Sequence, residues 1–178
     1  MNVVCLGDSN TWGYDPRSYF GDQYPPQCRW VDILSQKSGW NVMNYGENGR
    51  EIPTRPLSLP EGTDLLMIML GTNDLLQGSS AEDAAKKMEQ FLQMLSVKRE
   101  KILLIAPPAL KLGAWVDSLA QIAECAKLAE LYGELSRKMG IRFVDTRNWD
   151  VILSYDGVHF SEKGQVTFAV RLWNELSK

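Results

Sequence analysis

Histidine occurs once in these 178 residues, at His159. Any chemistry that needs an imidazole therefore has a single candidate. Cysteine is almost as scarce: Cys5, Cys28 and Cys125 are odd in number, widely spaced and free of C-x-x-C or Cys/His clustering. That excludes a disulfide framework and a structural zinc site, and the three read as free thiols, with Cys5 on a core strand and Cys125 on a helix. Positive charge is not in surplus, 19 Lys and Arg standing against 22 Asp and Glu for a net charge of -3. No broad cationic surface is available for phosphates, so nucleic acid is not an expected partner. No apolar run approaches the length of a membrane span, and the N-terminal one is too short for a signal peptide. The sequence predicts a cytoplasmic protein without a membrane partner. Neither G-x-G-x-x-G nor a P-loop is present, which removes the support for dinucleotide or nucleotide binding.

What is present fits one globular domain over residues 1–178, at 44% hydrophobic and 23% charged content. Residues 2–6, 41–45, 64–70, 101–106 and 141–145 each have the length and apolar content of a strand. Leu65 to Leu70 is apolar on both faces, as a central strand covered by helices on each side must be. Between the strands, Trp30, Ile33 and Leu34 form a short helical stripe that stops near Gly39. Ser80 and Asp83 look like a helix cap and a first-turn acid, opening a helix that buries Ala84, Met88, Phe91, Leu92 and Leu95. A longer stripe runs through Leu119, Ile122, Ala126, Leu128, Leu131, Leu135 and Met139 to Gly140, and Ser161 caps a last helix expected to turn Val166, Val170, Trp173 and Leu176 inward. Alternating strands and helices of this kind predict an α/β fold, a three-layer α/β/α sandwich on a five-stranded, mostly parallel sheet, with ligands bound beyond the carboxyl ends of the strands.

The polar residues that stand out fall at that end. Ser9 follows the first strand, Gly46 to Gly49 the second, Gly71-Thr72-Asn73-Asp74 the third and Pro107-Pro108 the fourth, while Asp156-Gly157-Val158-His159 lies in the last loop before the final helix. Nucleophilic catalysis by a serine needs a base to take its proton and a third group to orient that base. A serine, a histidine and an acid three residues before it supply the set. Taken singly, each is ordinary: Asp8-Ser9, Asp156-Gly157 and Gly71 to Asp74 are turn chemistry, and Trp12, Tyr14 and Trp30 are core packing. Loops that converge on one cleft are what a catalytic site requires.

The segments Gly7-Asp8-Ser9-Asn10, Asn44 to Gly49, Gly71-Thr72-Asn73-Asp74 and Asp156-Gly157-Val158-His159 resemble, in order and spacing, the four sequence blocks of the GDSL or SGNH hydrolases. The resemblance covers nearly the whole chain and is nearest the arylesterase and acyltransferase branch, through Thr11-Trp12-Gly13-Tyr14, Arg29-Trp30 and Ile105-Ala106-Pro107-Pro108. It implies a flavodoxin-like sandwich with Ser9 as nucleophile, His159 as general base and then acid, and Asp156 as the orienting partner. It further implies an oxyanion hole from the N–H of Ser9, the N–H of Gly49 and the side chain of Asn73, with Gly46 as the alternative to Gly49. Removing one such donor costs roughly 10²–10³ in rate. The first block departs from the pattern at its fourth residue, which is usually Leu and here is Asn10; an amide there either lines the pocket or caps the following turn.

The expected activity is hydrolysis of small, acetyl-like esters through an acyl-enzyme on Ser9, with transfer to an alcohol as a variant. Asp8, Asn10 and Trp12 are the expected substrate contacts, and no cofactor or metal is called for. Carbohydrate O-deacetylation is the alternative, because Trp12, Tyr14, Tyr19, Phe20 and Tyr24 suit an aryl group or a sugar face equally well. Two other classes remain open: an oxygen-rich metal site from Asp8, Asp74, Asp156 and His159, and a non-catalytic small-ligand module on the same scaffold. Aromatics on exposed loops are also compatible with a homo-oligomer.

Overall fold

A computed structural model describes residues 1–178. Five strands, β1 (Asn2–Gly7), β2 (Asn41–Gly46), β3 (Leu65–Met69), β4 (Ile102–Ile105) and β5 (Arg142–Val144), form one sheet in the order β2-β1-β3-β4-β5. Every pairing is parallel, running from Asn2 against Asn41 at one edge to Ile105 against Val144 at the other. All five expected strands are present, each with bounds within two residues of those read from the sequence. Helices α1 (Ser9–Trp12), α2 (Trp30–Ser38), α3 (Thr72–Leu76), α4 (Ala81–Met94), α5 (Leu119–Met139) and α6 (Glu162–Leu176) complete the fold.

Alternate strand residues feed two cores. Val4, Leu6, Leu66, Ile68 and Leu104 pack under α4 and α5, whereas Val3, Cys5, Leu65, Met67 and Leu103 pack under α2 and α6. This is why β3 is buried along its whole length: a sheet covered on both faces has no polar side to show. The helix ends follow their local chemistry. Ser80 Oγ accepts the Asp83 N–H and Ser161 Oγ the Gly164 N–H, each at 3.1 Å, while Gly39 and Gly140 close α2 and α5 in the left-handed conformation.

Three expectations about burial need correction. The inward face of α6 is Gln165, Phe168, Ala169 and Leu172, whereas Val166, expected inside, is 41% exposed, and Val170, Trp173 and Leu176 are only half-buried. Both stripes have helical spacing, and the one with Phe168 is inside because that ring meets Trp30, Trp149 and Phe160 at centroid distances of 5.2, 5.4 and 5.2 Å. Leu119 is exposed in the first turn of α5, before that helix meets the core at Cys125 and Leu128. Leu95 caps the end of α4 and is only half-buried.

The chain leaves β1 for β2 on one side and then crosses to β3 on the other. The crevice between the carboxyl ends of β1 and β3 is thus the point where the winding reverses, the usual place for a ligand in such sheets.

Candidate active site

Ser9 stands at that crevice because β1 turns directly into α1. Asp8 caps the helix, its Oδ1 accepting the Asn10 N–H at 2.9 Å, and Gly13, at φ 92°, ends it by donating its N–H to Ser9 O at 2.9 Å. Gly7 is needed for the close approach: a Cβ there would sit 2.0 Å from Thr11 Oγ1. The last loop meets this turn from the far end of the chain. Ser9 Oγ lies 2.9 Å from His159 Nε2, and His159 Nδ1 lies 2.8 Å from Asp156 Oδ2. All three side chains are buried.

The Asp156 carboxylate is held from several sides. Its Oδ1 accepts the N–H groups of Val158 and His159, both at 2.9 Å. Burial pushes its pKa up, but the hydrogen bonds from the His159 ring and from those two amides outweigh burial and keep the group below the usual aspartate range. An ionised carboxylate only accepts, so Nδ1 carries the proton and Nε2 presents its lone pair to the Ser9 hydroxyl. Gly157 makes the tight loop feasible, since a Cβ there would fall 2.0 Å from Lys111 O.

Across the crevice, two other loops are sewn together. Asn73 donates from Nδ2 to Arg50 O at 3.0 Å. The neighbouring Asp74, fully buried, accepts the Ile52 N–H at 3.0 Å and pairs with Lys87 Nζ at 2.7 Å, and Lys87 also reaches Glu51 at 2.8 Å. The two candidate glycines differ in availability. The Gly46 N–H is bonded to Asn44 Oδ1 at 2.8 Å, while neither the Gly49 N–H nor the Ser9 N–H has a protein acceptor. Gly49 adopts φ 73°, a conformation that suits glycine.

Ser9, Tyr14, Asn48, Gly49, Asn73, Gln77, Trp115 and His159 line a cavity of about 320 Å³. It therefore gathers Ser9, His159, Gly49 and Asn73, with Asp156 directly behind His159. The residues expected to contact substrate are not in it. Asp8 is buried beneath the turn, where loss of solvation raises its carboxyl to about 6 against the opposing pull of the Asn10 N–H, His159 and Thr72. The Asn10 amide is occupied by the backbone of Val158 and Phe160, and Trp12 is half-buried beside Tyr14. Of the other loop aromatics, Tyr24 is buried, and Tyr19 and Phe20 are exposed outside the cavity lining.

The aromatic walls are Tyr14 and Trp115, whose ring centroids lie 4.7 and 5.0 Å from that of His159. Trp115, Asn48 and Gln77 were missed in the sequence. Trp115 sits after β4 on a segment whose backbone follows the histidine loop, with Trp115 N–H donating to Asp156 O at 3.0 Å. Its place beyond a strand's carboxyl end was the available signal. No three His, Cys, Asp or Glu side chains converge as a metal cage would need, because Asp74 is committed to Lys87 and Ile52 and Asp156 to His159.

A parallel α/β sandwich with a serine, an imidazole and a carboxylate in hydrogen-bonded sequence at the winding reversal fits one class, the ester hydrolases. The family description matched by residues 5–166 is the GDSL-like Lipase/Acylhydrolase family, and the chain belongs to it. Ester-bond hydrolysis is the activity that this membership carries. A proposed arylesterase from Agrobacterium tumefaciens str. C58 is similar at 26% identity and TM-score 0.80, over 99% of this chain and 98% of that one. The aryl esterase of M. smegmatis shares the fold at 23% identity and TM-score 0.80, over 99% and 98% of the two chains. A carbohydrate acetylesterase from Sinorhizobium meliloti does so at 21% identity and TM-score 0.79, again over 99% and 98%. Among curated protein sequences none matches the chain. No helix is long and apolar enough to cross a membrane.

Proposed function

We propose that this protein is a serine esterase that hydrolyses small acyl esters through an acyl-enzyme on Ser9. The observation that carries the reading is the run of contacts from Ser9 Oγ to His159 Nε2 at 2.9 Å and from His159 Nδ1 to Asp156 Oδ2 at 2.8 Å. His159 takes the hydroxyl proton as Ser9 attacks the ester carbonyl, then gives it to the leaving alcohol; Asp156 holds the ring and supports its positive charge. Water, deprotonated by His159, attacks the acyl-serine and regenerates the enzyme, and an alcohol in place of water yields acyl transfer. The N–H groups of Ser9 and Gly49 and the second N–H of Asn73 Nδ2 are the donors for the oxyanion. The open N–H of Gly49 and the occupied one of Gly46 support that choice of glycine.

A cavity of about 320 Å³ has room for a whole small ester such as an aryl acetate. Deacetylation of a carbohydrate is the second reading, favoured by a lining that joins the amides of Asn48 and Gln77, able to bond hydroxyls, to the rings of Tyr14 and Trp115, able to stack on a sugar face. Three buried free thiols favour a reducing compartment, the cytoplasm.

Ser9→Ala and His159→Ala should each reduce p-nitrophenyl acetate hydrolysis by roughly 10⁴-fold or more without changing the circular dichroism spectrum. Full activity in either variant overturns the reading. Asp156→Asn should cost less than Ser9→Ala, because the carboxylate orients but does not attack. Rates on acetyl, butyryl and octanoyl esters of p-nitrophenol, set beside acetate release from acetylated sugars, separate the two substrate readings.

A further inference from the structure

Asn10, the residue after the proposed nucleophile, is buried and uses both ends of its amide on one target. Its Nδ2 donates to Val158 O at 3.1 Å and its Oδ1 accepts the Phe160 N–H at 2.8 Å. Those two backbone groups flank His159. Asn10 is itself anchored: its N–H donates to Asp8 Oδ1 at 2.9 Å, and its carbonyl accepts from Trp30 Nε1 at 3.1 Å and Gln165 Nε2 at 3.2 Å.

The hydrogen bonds of Asp156 lie within the histidine loop, to the ring and N–H of His159 and the N–H of Val158. They fix the imidazole relative to the carboxylate but not relative to Ser9. The hydrogen bonds from α1 to that loop come from the serine hydroxyl and the Asn10 amide alone, and the Tyr14 ring adds a packing contact on His159. We infer that Asn10 is a positioning residue: its amide docks the backbone on either side of His159 onto α1 and so sets the separation between the Ser9 hydroxyl and the imidazole. A leucine here would offer neither donor nor acceptor and would leave the Val158 carbonyl and the Phe160 N–H without this partner in a buried setting. The inference rests on the serine-esterase reading.

Steady-state hydrolysis of p-nitrophenyl acetate by wild type, Asn10→Ala, Asn10→Asp and Ser9→Ala across pH tests it, with the folded fraction of each measured by thermal unfolding. Asn10→Ala should lose about 10- to 100-fold in kcat with KM within about twofold, the size expected when a base is displaced from its nucleophile by a fraction of a bond length or more. Its acid limb should stay at the wild-type pH, because the Asp156–His159 contact lies inside the loop, whereas Asp156→Asn should move that limb. Asn10→Asp adds a readout that structure alone does not supply. A protonated carboxyl can still donate to Val158 O and accept from Phe160 N–H, while the ionised form cannot donate. Its kcat relative to wild type should therefore rise as pH falls, and the ratio for Asn10→Ala should stay flat.

Wild-type kcat per folded molecule in Asn10→Ala, or a pH-independent ratio in Asn10→Asp, overturns the inference. If Asn10→Ala does not fold, the near-isosteric Asn10→Asp carries the test alone. An active Ser9→Ala defeats the esterase reading and this inference together; an inactive Ser9→Ala beside normal Asn10 variants defeats this inference only.

Discussion

The two walls of the crevice share one kind of fastening and differ in a second. On the histidine side, the loop is fastened by hydrogen bonds between a carboxylate or an amide and neighbouring backbone, at Asp156 and Asn10. On the opposite side, the Gly49 and Asn73 loops have bonds of the same kind, from Asn73 to Arg50 O and from the Ile52 N–H to Asp74, and in addition a fixed cation, the Lys87 ammonium shared by the buried Asp74 carboxylate and Glu51. Backbone amides do not lose their protons to pH or salt, so the histidine loop keeps its donors until the Asp156 carboxylate that accepts them is itself protonated, below the usual aspartate range. A buried carboxylate with one cationic partner depends on that partner, because an unpaired charge out of water is costly. The two aspartates nearest His159 make the same point: burial raises both, yet three hydrogen bonds hold Asp156 low while Asp8 is left near 6.

Four measurements can break or sharpen this contrast. The largest effect is expected at Asn73→Ala, which should lower kcat for p-nitrophenyl acetate by roughly 10²–10³-fold if its free N–H serves the oxyanion. A loss under threefold would separate this wall from the chemistry. Next, Lys87→Met should destabilise the fold by about 2–3 kcal/mol in urea unfolding, less than for a fully buried pair because the lysine is partly exposed. The double variant with Asp74→Asn should recover part of that loss, and no recovery would mean that charge is not what fastens the wall.

Asp8→Asn comes third and tests sign as much as size. With a folded-state pKa near 6, above that of the unfolded chain, Asp8 contributes stability at low pH that is lost as pH climbs from about 4 to about 6. Asparagine keeps the acceptor for the Asn10 N–H without the charge. The variant should therefore gain on wild type across that window, levelling off at about 2–3 kcal/mol near neutrality. Asp156, held low, contributes with the opposite sign: its stability is present above the unfolded aspartate value and is lost as the medium turns more acidic. Smallest is Ser80→Ala, away from both walls, which should cost about 1 kcal/mol through the lost cap on α4 and leave kcat unchanged.

Much of the fold was legible because it rests on local rules. β3 is apolar throughout and sits in the middle of the sheet, and Ser80, Ser161, Gly39 and Gly140 bound their helices as their side chains or backbone freedom dictate. The face of α6 was not legible, since its sequence carries two stripes of helical spacing and the aromatic cluster around Phe168 chose between them. For Asn10 the sequence leaves open a pocket role and a cap on the following turn; its partners lie at positions 158 and 160, which nothing near it in sequence reveals. Trp115 stands beyond the carboxyl end of β4, which its sequence position does show, but its contact with His159 depends on a backbone bond to Asp156 that the sequence does not.

The amino-acid sequence alone determined the alternation of strand and helix, the end of the sheet at which the polar loops gather, and which imidazole any such chemistry must use, there being only one. Only the tertiary structure decided that Ser9 and His159, separated by 150 positions, stand 2.9 Å apart, that Gly49 rather than Gly46 keeps its N–H open, and that Asn10 faces backbone instead of a ligand. Periodicity and capping are set by neighbours along the chain, whereas the spacing between loops is set by the order and register of parallel strands that meet only after the chain has wound both ways across the sheet.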